Sequence, residues 1–81
     1  MKIEEYTIGK AASAAGVGIE TIRFYERQQL IEQPPKPLGT GARLYSGDTV
    51  RRIRFIKEAQ EIGFSLREAK ELLALRTDPS A

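Results

Sequence analysis

The sequence has neither cysteine nor histidine among its 81 residues. Without cysteine there are no disulfide bonds and no thiolate chemistry, and without either residue the commonest metal ligands are missing. No apolar run approaches the roughly 18–20 residues that a membrane-spanning helix requires, and the first residues lack the pattern of a signal peptide. These absences predict one small cytoplasmic domain that uses no metal or other cofactor and has no membrane partner.

Charge is distributed unevenly along the chain. The net charge is only +2, although the isoelectric point is about 9.2. Between Arg23 and Lys57 there are eight basic and three acidic residues, a local charge of +5, whereas the rest of the chain carries −3. A basic central segment suits a partner with regularly spaced phosphates. Ordinary solvated helix faces with some salt bridges are the alternative interpretation.

Two short helices separated by a glycine-containing joint are predicted near the amino terminus. The first covers Ile8–Ala15, and Thr7 is placed to cap it through its hydroxyl. Gly16 tolerates the positive φ that ends such a helix, and the second helix is predicted over Ile19–Gln29. This layout is typical of a helix-turn-helix, in which the second helix enters the major groove of DNA.

The second helix carries the residue types that a groove-reading helix needs. Arginine contacts phosphate or guanine, a hydroxyl contacts either base or backbone, and an aromatic ring contacts the thymine methyl group. The candidates are Thr21, Arg23, Phe24, Tyr25 and Arg27. Because a helix cannot present every side to DNA, we expect one of the two aromatic rings to pack inward. The alternative for Arg27 is an ion pair with Glu26 or Glu32.

A small β-ribbon is predicted after the second helix. Two short runs, Leu30–Gln33 and Ala42–Tyr45, flank a loop rich in proline and glycine at positions 34–41. In a DNA-binding protein such a ribbon is a wing. Arg43 and Tyr45 alternate and so share one face of the second strand, where both can meet the DNA backbone or a minor-groove edge. A plain surface loop with a solvent-facing pair is the alternative.

Two further helices are predicted in the second half of the chain. One covers Gly47–Ile62, begins at a Ser46 cap and carries an apolar stripe of Val50, Ile53, Ile56 and Ala59, widened by Phe55 and Ile62. Its other sides are basic, and Arg51, Arg54 and Lys57 would add affinity that does not depend on sequence. Ser65 and Glu68 form a capping box that starts the fourth helix, and Ser65 can also hold a phosphate there.

The order of these residues resembles that of a known family. The matching stretches are Tyr6-Thr-Ile-Gly9, Ala12, Ala15-Gly-Val17, Thr21-Ile-Arg-Phe-Tyr-Glu-Arg27, Leu30-Ile31, Arg43-Leu-Tyr-Ser46, Arg54-Phe-Ile-Lys57 and Ile62-Gly-Phe-Ser-Leu66. Together they resemble the N-terminal DNA-binding domain of MerR-family transcription regulators, and most closely the metal-responsive branch. The resemblance covers about residues 6–75.

The resemblance implies a mainly α winged helix-turn-helix, with four helices and a two-stranded β wing, over residues 1–76, followed by a tail at 77–81. It also implies a homodimer that binds palindromic operator DNA and distorts the promoter for RNA polymerase, so that specificity arises partly without base contacts. By family pattern the DNA-contacting positions include those on the second helix and the wing, with Lys57 and Gln60 supporting phosphate contacts. The full predicted set is Thr21, Arg23, Phe24, Tyr25, Arg27, Arg43, Tyr45, Arg54, Lys57, Gln60 and Ser65.

Three residues depart from the family pattern. Gln29 stands where the family usually has glycine, at a helix end that favours a positive φ, and Ala42 and Ala69 replace larger residues. The family's long dimerisation helix and effector domain are absent from this sequence. We therefore expect this chain to be mainly monomeric and to bind its operator weakly, because two linked half-sites bind more tightly than one.

Two other functions remain open from sequence. An excisionase-like architectural DNA-binding protein would share the winged-helix shape, and a protein-interaction module would use the Leu66–Leu75 surface. Enzymatic activity is not expected, because the sequence lacks a histidine or cysteine nucleophile system, a metal cluster and a phosphate-binding glycine loop.

Overall fold

The computed structural model describes residues 4–37, 39 and 41–77. In chain order the elements are β1 (Glu5–Tyr6), α1 (Ile8–Ala15), α2 (Ile19–Arg27), β2 (Tyr45–Ser46), α3 (Gly47–Ile62) and α4 (Leu66–Thr77). β1 and β2 form a two-stranded antiparallel sheet. The prediction of a mainly helical winged helix-turn-helix with four helices and a two-stranded sheet is confirmed.

The joint between α1 and α2 forms as the sequence predicted. The Thr7 hydroxyl accepts a hydrogen bond from the amide of Lys10 at 3.3 Å, which caps α1. Gly16 has φ 76° and ends that helix, and the amide of Val17 donates to the carbonyl of Ala12 at 2.9 Å. This tight closure turns the chain directly into α2, which begins after Gly18 without a side-chain cap. α1 and α2 are thereby held as a helix-turn-helix pair.

The second helix ends earlier than predicted. α2 stops at Arg27, and Gln29 adopts φ 59°, the left-handed conformation that glycine usually occupies. The amide of Leu30 then donates to the carbonyl of Tyr25 at 2.9 Å, which turns the chain back and buries Leu30 and Ile31 in the core. The predicted end at Gln29 was therefore wrong by two residues, because the left-handed turn takes precedence over continuing the helix.

The left-handed Gln29 predicts a stabilising substitution. A left-handed conformation costs an L-residue about 1–2 kcal/mol, and glycine avoids that cost but gives the unfolded chain more freedom. Gln29→Gly should therefore raise the free energy of unfolding by about 0.5–1 kcal/mol. Gln28, with φ −85°, is the matched control, and Gln28→Gly should lower stability. Urea titrations that show the same change at both positions would contradict this explanation.

The wing differs from the predicted ribbon. The sheet pairs Glu5 with Ser46 and Tyr6 with Tyr45, and neither Leu30–Gln33 nor positions 42–44 form strands. Prolines at 34, 35 and 37 cannot donate backbone hydrogen bonds, so this segment cannot support a regular ladder. Its beginning is instead buried in the core. We keep the name wing for residues 30–44, which form an irregular loop within the described part of the chain.

α3 is the centre of the core. The predicted stripe is buried at Val50, Ile53, Ile56 and Ala59, and Phe55 packs partly against it. Ile62 was wrongly included, because it is 78% exposed where the chain turns at Gly63 to begin α4. The α3 cap is confirmed by a hydrogen bond from the amide of Thr49 to the Ser46 hydroxyl at 3.1 Å.

α4 closes the core from the other side of α3. Its capping box is confirmed, with the Ser65 amide donating to Glu68 Oε1 at 2.9 Å and the Glu68 amide donating to Ser65 Oγ at 3.1 Å. Ala69 and Leu73 are buried, and the guanidinium of Arg76 lies 4.9 Å from the ring centre of Phe55. Among the described residues from 66 to 75, Leu75 is the one large apolar side chain that is exposed.

Candidate nucleic-acid interface

The exposed side of α2 carries two arginines. Ile22 and Tyr25 face the core, which leaves Arg23 and Arg27, four residues apart, on the outer face of the helix. The guanidinium of Arg27 lies 5.9 Å from the ring centre of Phe24. Within the described residues, neither arginine forms an ion pair, so the alternative pairing of Arg27 with an acidic neighbour is not formed. Two positive charges are thus available to an anionic partner.

The inward aromatic ring is that of Tyr25, and the expectation that one ring would pack inward is confirmed. Its side chain is only 3% exposed, whereas Phe24 is half-buried. The Phe24 ring is therefore partly accessible for the predicted contact with a thymine methyl group. The Tyr25 ring is not accessible for that contact. Burial raises the pKa of Tyr25 above its ordinary value.

The Tyr25 hydroxyl connects α2 to α3. It donates to Oε1 of Gln60 at 2.9 Å, which leaves the amide nitrogen of Gln60 free to donate elsewhere. Thr21 and Lys57 line the same shallow groove beside the α1–α2 joint. Thr21 lies one turn before Tyr25, and Lys57 lies one turn before Gln60. Four predicted site residues on two helices are therefore neighbours in space.

Lys57 occupies a defined place next to this groove. Its ammonium lies 3.6 Å from Glu61, and a Cβ added to Gly16 would be 3.3 Å from Lys57 Nζ. Gly16 thus supplies both the positive φ of the joint and the space for the ammonium. The pair with Glu61 is partly exposed and contributes little to stability, so Lys57 can exchange it for another anion.

Tyr45 is positioned differently from the prediction. It lies in β2 with its side chain 2% exposed, and its hydroxyl donates to Oε2 of Glu26 on α2 at 2.7 Å. Arg43 precedes the strand, and its Nε donates to the carbonyl of Pro34 at 3.0 Å. The two residues therefore do not share a strand face. A hydrogen bond donated by the Tyr45 hydroxyl to a phosphate would first have to break its bond to Glu26.

Arg23 and Arg43 nevertheless approach each other across the base of the wing. Both line a cleft of about 200 Å³ together with Thr7, Gln33 and Tyr45. Burial and Glu26 raise the pKa of the Tyr45 hydroxyl, and the positive charges of Arg23 and Arg43 act against this rise. α2 and the wing thus present one cationic surface. Sequence reasoning missed Gln33 as a lining residue of this cleft and Glu26 as the acceptor for Tyr45. The position of Glu26, about one helical turn after Arg23, was a signal that it lies on the same side of α2.

The buried Tyr45 hydroxyl predicts a loss of stability at high pH. Burial and the hydrogen bond to Glu26 raise its pKa from 10.0 to about 12. Below pH 10 the hydroxyl is protonated in the folded and unfolded states, and its contribution is complete. Between pH 10 and pH 12 the unfolded state ionises first, so up to about 2–3 kcal/mol is lost progressively.

Tyr45→Phe tests this directly. Urea denaturation of that variant should show a flatter decline of stability above pH 10 than the unmodified chain. Tyr6→Phe is the control, because the Tyr6 hydroxyl is exposed and bonded to Glu4, and most of the alkaline loss should remain. An unchanged alkaline decline in Tyr45→Phe would contradict the assignment.

Arg54 and Ser65 are engaged within the protein. The guanidinium of Arg54 donates to the carbonyl of Ala14 near the end of α1, and Ser65 is occupied in its capping box. Arg54 is exposed and retains further donors for a phosphate. The described residues contain no group of three or more side chains placed to hold a metal ion. None of the described helices is long and apolar enough to span a membrane.

Comparisons with known proteins agree on one family. Residues 6–75 match the model described as MerR HTH family regulatory protein. The mercuric resistance operon regulatory protein of Serratia marcescens is 53% identical over 73 residues, which cover 90% of this chain and 50% of that protein. The chain therefore spans about half the length of this curated relative.

Solved structures show the same fold. The transcription regulator PbrR691 from Ralstonia metallidurans CH34, in complex with lead(II), matches with a TM-score of 0.78 and 32% identity, covering 91% of this chain and 57% of that one. HiNmlR, a MerR family regulator lacking the sensor domain and bound to promoter DNA, matches with a TM-score of 0.75 and 23% identity, covering 93% and 58%. The latter likeness concerns the fold alone.

Proposed function

Because this chain belongs to the MerR HTH family of regulatory proteins, we propose that it binds operator DNA sequence-specifically with α2 in the major groove. The observation that carries this proposal is the pair Arg23 and Arg27, exposed on one face of α2 and without an acidic partner among the described residues. Unpaired arginines at this spacing suit guanine edges and adjacent phosphates.

The neighbouring groups have distinct roles in this proposal. Phe24 supplies apolar contact in the groove, while Thr21, Lys57 and Gln60 hold a phosphate beside the α1–α2 joint. The amide nitrogen of Gln60 suits this role because the Tyr25 hydroxyl occupies Oε1 of the same side chain. Arg54 and Ser65 contact phosphates further along the DNA backbone. Contacts to phosphate set the register, and contacts to base edges set the sequence.

The remaining features of the proposal come from the family. A homodimer on a palindromic operator, distortion of the promoter and action on RNA polymerase are proposed from the family. The chain by itself is proposed to be mainly monomeric and cytoplasmic, and to act as a binding protein rather than an enzyme. One relative is named for mercuric resistance and one solved neighbour is bound to lead(II), and we propose that this chain takes part in metal-responsive regulation.

Lys57→Ala tests the phosphate contact. It should weaken binding to operator and random duplexes equally, and should reduce the slope of log affinity against log salt by about one. Lys70→Ala removes the same charge from the exposed face of α4 and is the matched control, with the slope unchanged. Fluorescence titrations at two salt concentrations measure both quantities. A loss confined to the operator would contradict a phosphate role for Lys57, and equal binding of operator and random duplexes by the unmodified chain would refute sequence-specific recognition.

A further inference from the structure

The two arms of the wing are joined in an unusual way. In the described part of the wing, no backbone hydrogen bond crosses between residues 30–37 and 41–44. The crossing bond is made by a side chain, from Nε of Arg43 to the carbonyl of Pro34 at 3.0 Å. The arms also lie side by side further out, since a Cβ added to Gly41 would be 3.7 Å from Pro37. In the described part of the wing, one arginine side chain therefore takes the place of the backbone hydrogen bonds that join the two strands of an ordinary hairpin.

Each arm of the wing is attached at its base to the rest of the protein. One arm begins with Leu30 and Ile31, which are buried in the core. The other arm ends at Tyr45, whose hydroxyl is bonded to Glu26 on α2. Between these attached ends the prolines at 34, 35 and 37 provide no donors, and among the described residues of the wing the Arg43 bond is the hydrogen bond that joins the two arms. The wing is thereby held at one position relative to α2.

The Arg43 guanidinium has two separable parts. Nε donates to the carbonyl of Pro34 in a part-buried bond, and the Arg43 side chain also lines the cleft shared with Arg23. A guanidinium can donate to Pro34 and still present its charge to the cleft, because its donors are fixed in a plane and point in different directions. Lysine retains the charge but has no Nε–H at this place on its side chain. Arg43→Lys consequently separates the structural bond from the charge.

We propose that Arg43 is a positioning residue, which sets operator preference by holding the wing against α2 through its Nε–H bond to Pro34. Its charge contributes a general attraction to the DNA backbone, independent of sequence. This inference rests on the proposed DNA binding, but the bond itself exists in the free protein and can be tested without DNA.

The binding experiment compares Arg43→Lys with Arg43→Ala on operator and random duplexes. Arg43→Lys should lower operator affinity by about 10- to 150-fold, as expected for a hydrogen bond to a charged group, while leaving random-duplex affinity and the salt slope unchanged. Arg43→Ala should show the same loss of preference and also reduce the salt slope by about one. Arg67→Lys on the exposed part of α4 is the matched control and should behave as the unmodified chain.

An NMR measurement without DNA provides the second test. The Nε–H of Arg43 should exchange with solvent more slowly than that of the exposed Arg67, and Arg43→Lys should shift the amides of residues on both arms, at 36 and 41–43. Nε–H exchange as fast as that of Arg67 would show that the bond from Arg43 to Pro34 does not hold the two arms together. Unchanged operator preference in Arg43→Lys, or an equal loss on both duplexes, would overturn its role in specificity. If the unmodified chain itself shows no operator preference, the DNA-binding proposal and this role both fail, while the exchange rate still decides whether the bond exists.

Discussion

Replacing Arg23 with alanine should lower the affinity for operator DNA by about 1–3 kcal/mol, and should do so far less for random duplex. Arg23 is exposed on α2, lies four residues before Arg27 and lines the cleft that α2 shares with the wing. It has no ion-pair partner among the described residues, so binding DNA breaks no salt bridge. The loss should therefore appear as reduced discrimination between operator and random sequence.

The control for Arg23→Ala must match its change in charge. Lys70→Ala removes one positive charge from an exposed position on α4 and should change operator affinity little, because Lys70 is outside α2 and outside the cleft that Arg23 lines. Thermal melts of both variants verify folding. Equal operator affinities of Arg23→Ala and the unmodified chain, with both proteins folded, would remove Arg23 from the interface.

Replacing Ile53 with alanine should destabilise the protein by about 2–5 kcal/mol, because it removes buried methyl groups and leaves a cavity. Ile53 is 0% exposed on α3, the helix that contacts both α1 and α4. A small domain has a free energy of unfolding of about 5–15 kcal/mol, so this single change consumes much of it. The melting temperature should fall by roughly 10 °C or more.

Ile62→Ala is the matched control, since it makes the same change on the same helix. Ile62 is 78% exposed, and its truncation should alter stability by no more than about 0.5 kcal/mol. Operator affinity, once corrected for the fraction of protein that is folded, should be unaffected in both variants. Similar melting temperatures for the two variants would mean that the assigned core is wrong.

Local chemistry explains why the helices could be predicted from sequence. Caps at Thr7, Ser46 and Ser65 and the left-handed glycines Gly16 and Gly63 act within a few residues of each helix end. Their partners are therefore fixed by spacing along the chain, and the apolar period of α3 identifies its buried face. Ile62 fits that period yet is exposed, because a period cannot show where the covering elements end.

The sheet that follows the wing could not be predicted in the same way, because its contacts join residues that are distant in sequence. β1 pairs with β2 across about forty residues, and the bond from Tyr45 to Glu26 links the sheet to α2. The turn at Gln29 also hid the end of α2, since glutamine rarely takes a positive φ. Long-range pairing of this kind is decided by burial in the assembled core.

The predicted site is partly reorganised by these long-range contacts. Arg23, Arg27 and Phe24 remain on the accessible side of α2, whereas Tyr25 and Tyr45 act within the protein through Gln60 and Glu26. Periodicity indicated that one aromatic ring must be inward but not which hydroxyl acceptor it would find. The contribution of each residue to DNA binding stays a prediction.

An NMR titration with operator duplex tests the central claim most directly. We predict that the amide and side-chain signals of Thr21, Arg23 and Arg27 shift strongly, while those of Lys70 and Glu71 on α4 stay nearly constant. A random duplex of equal length should shift the α2 signals less. If the operator leaves the α2 signals in place, or shifts the α4 signals instead, α2 is not the groove-binding element.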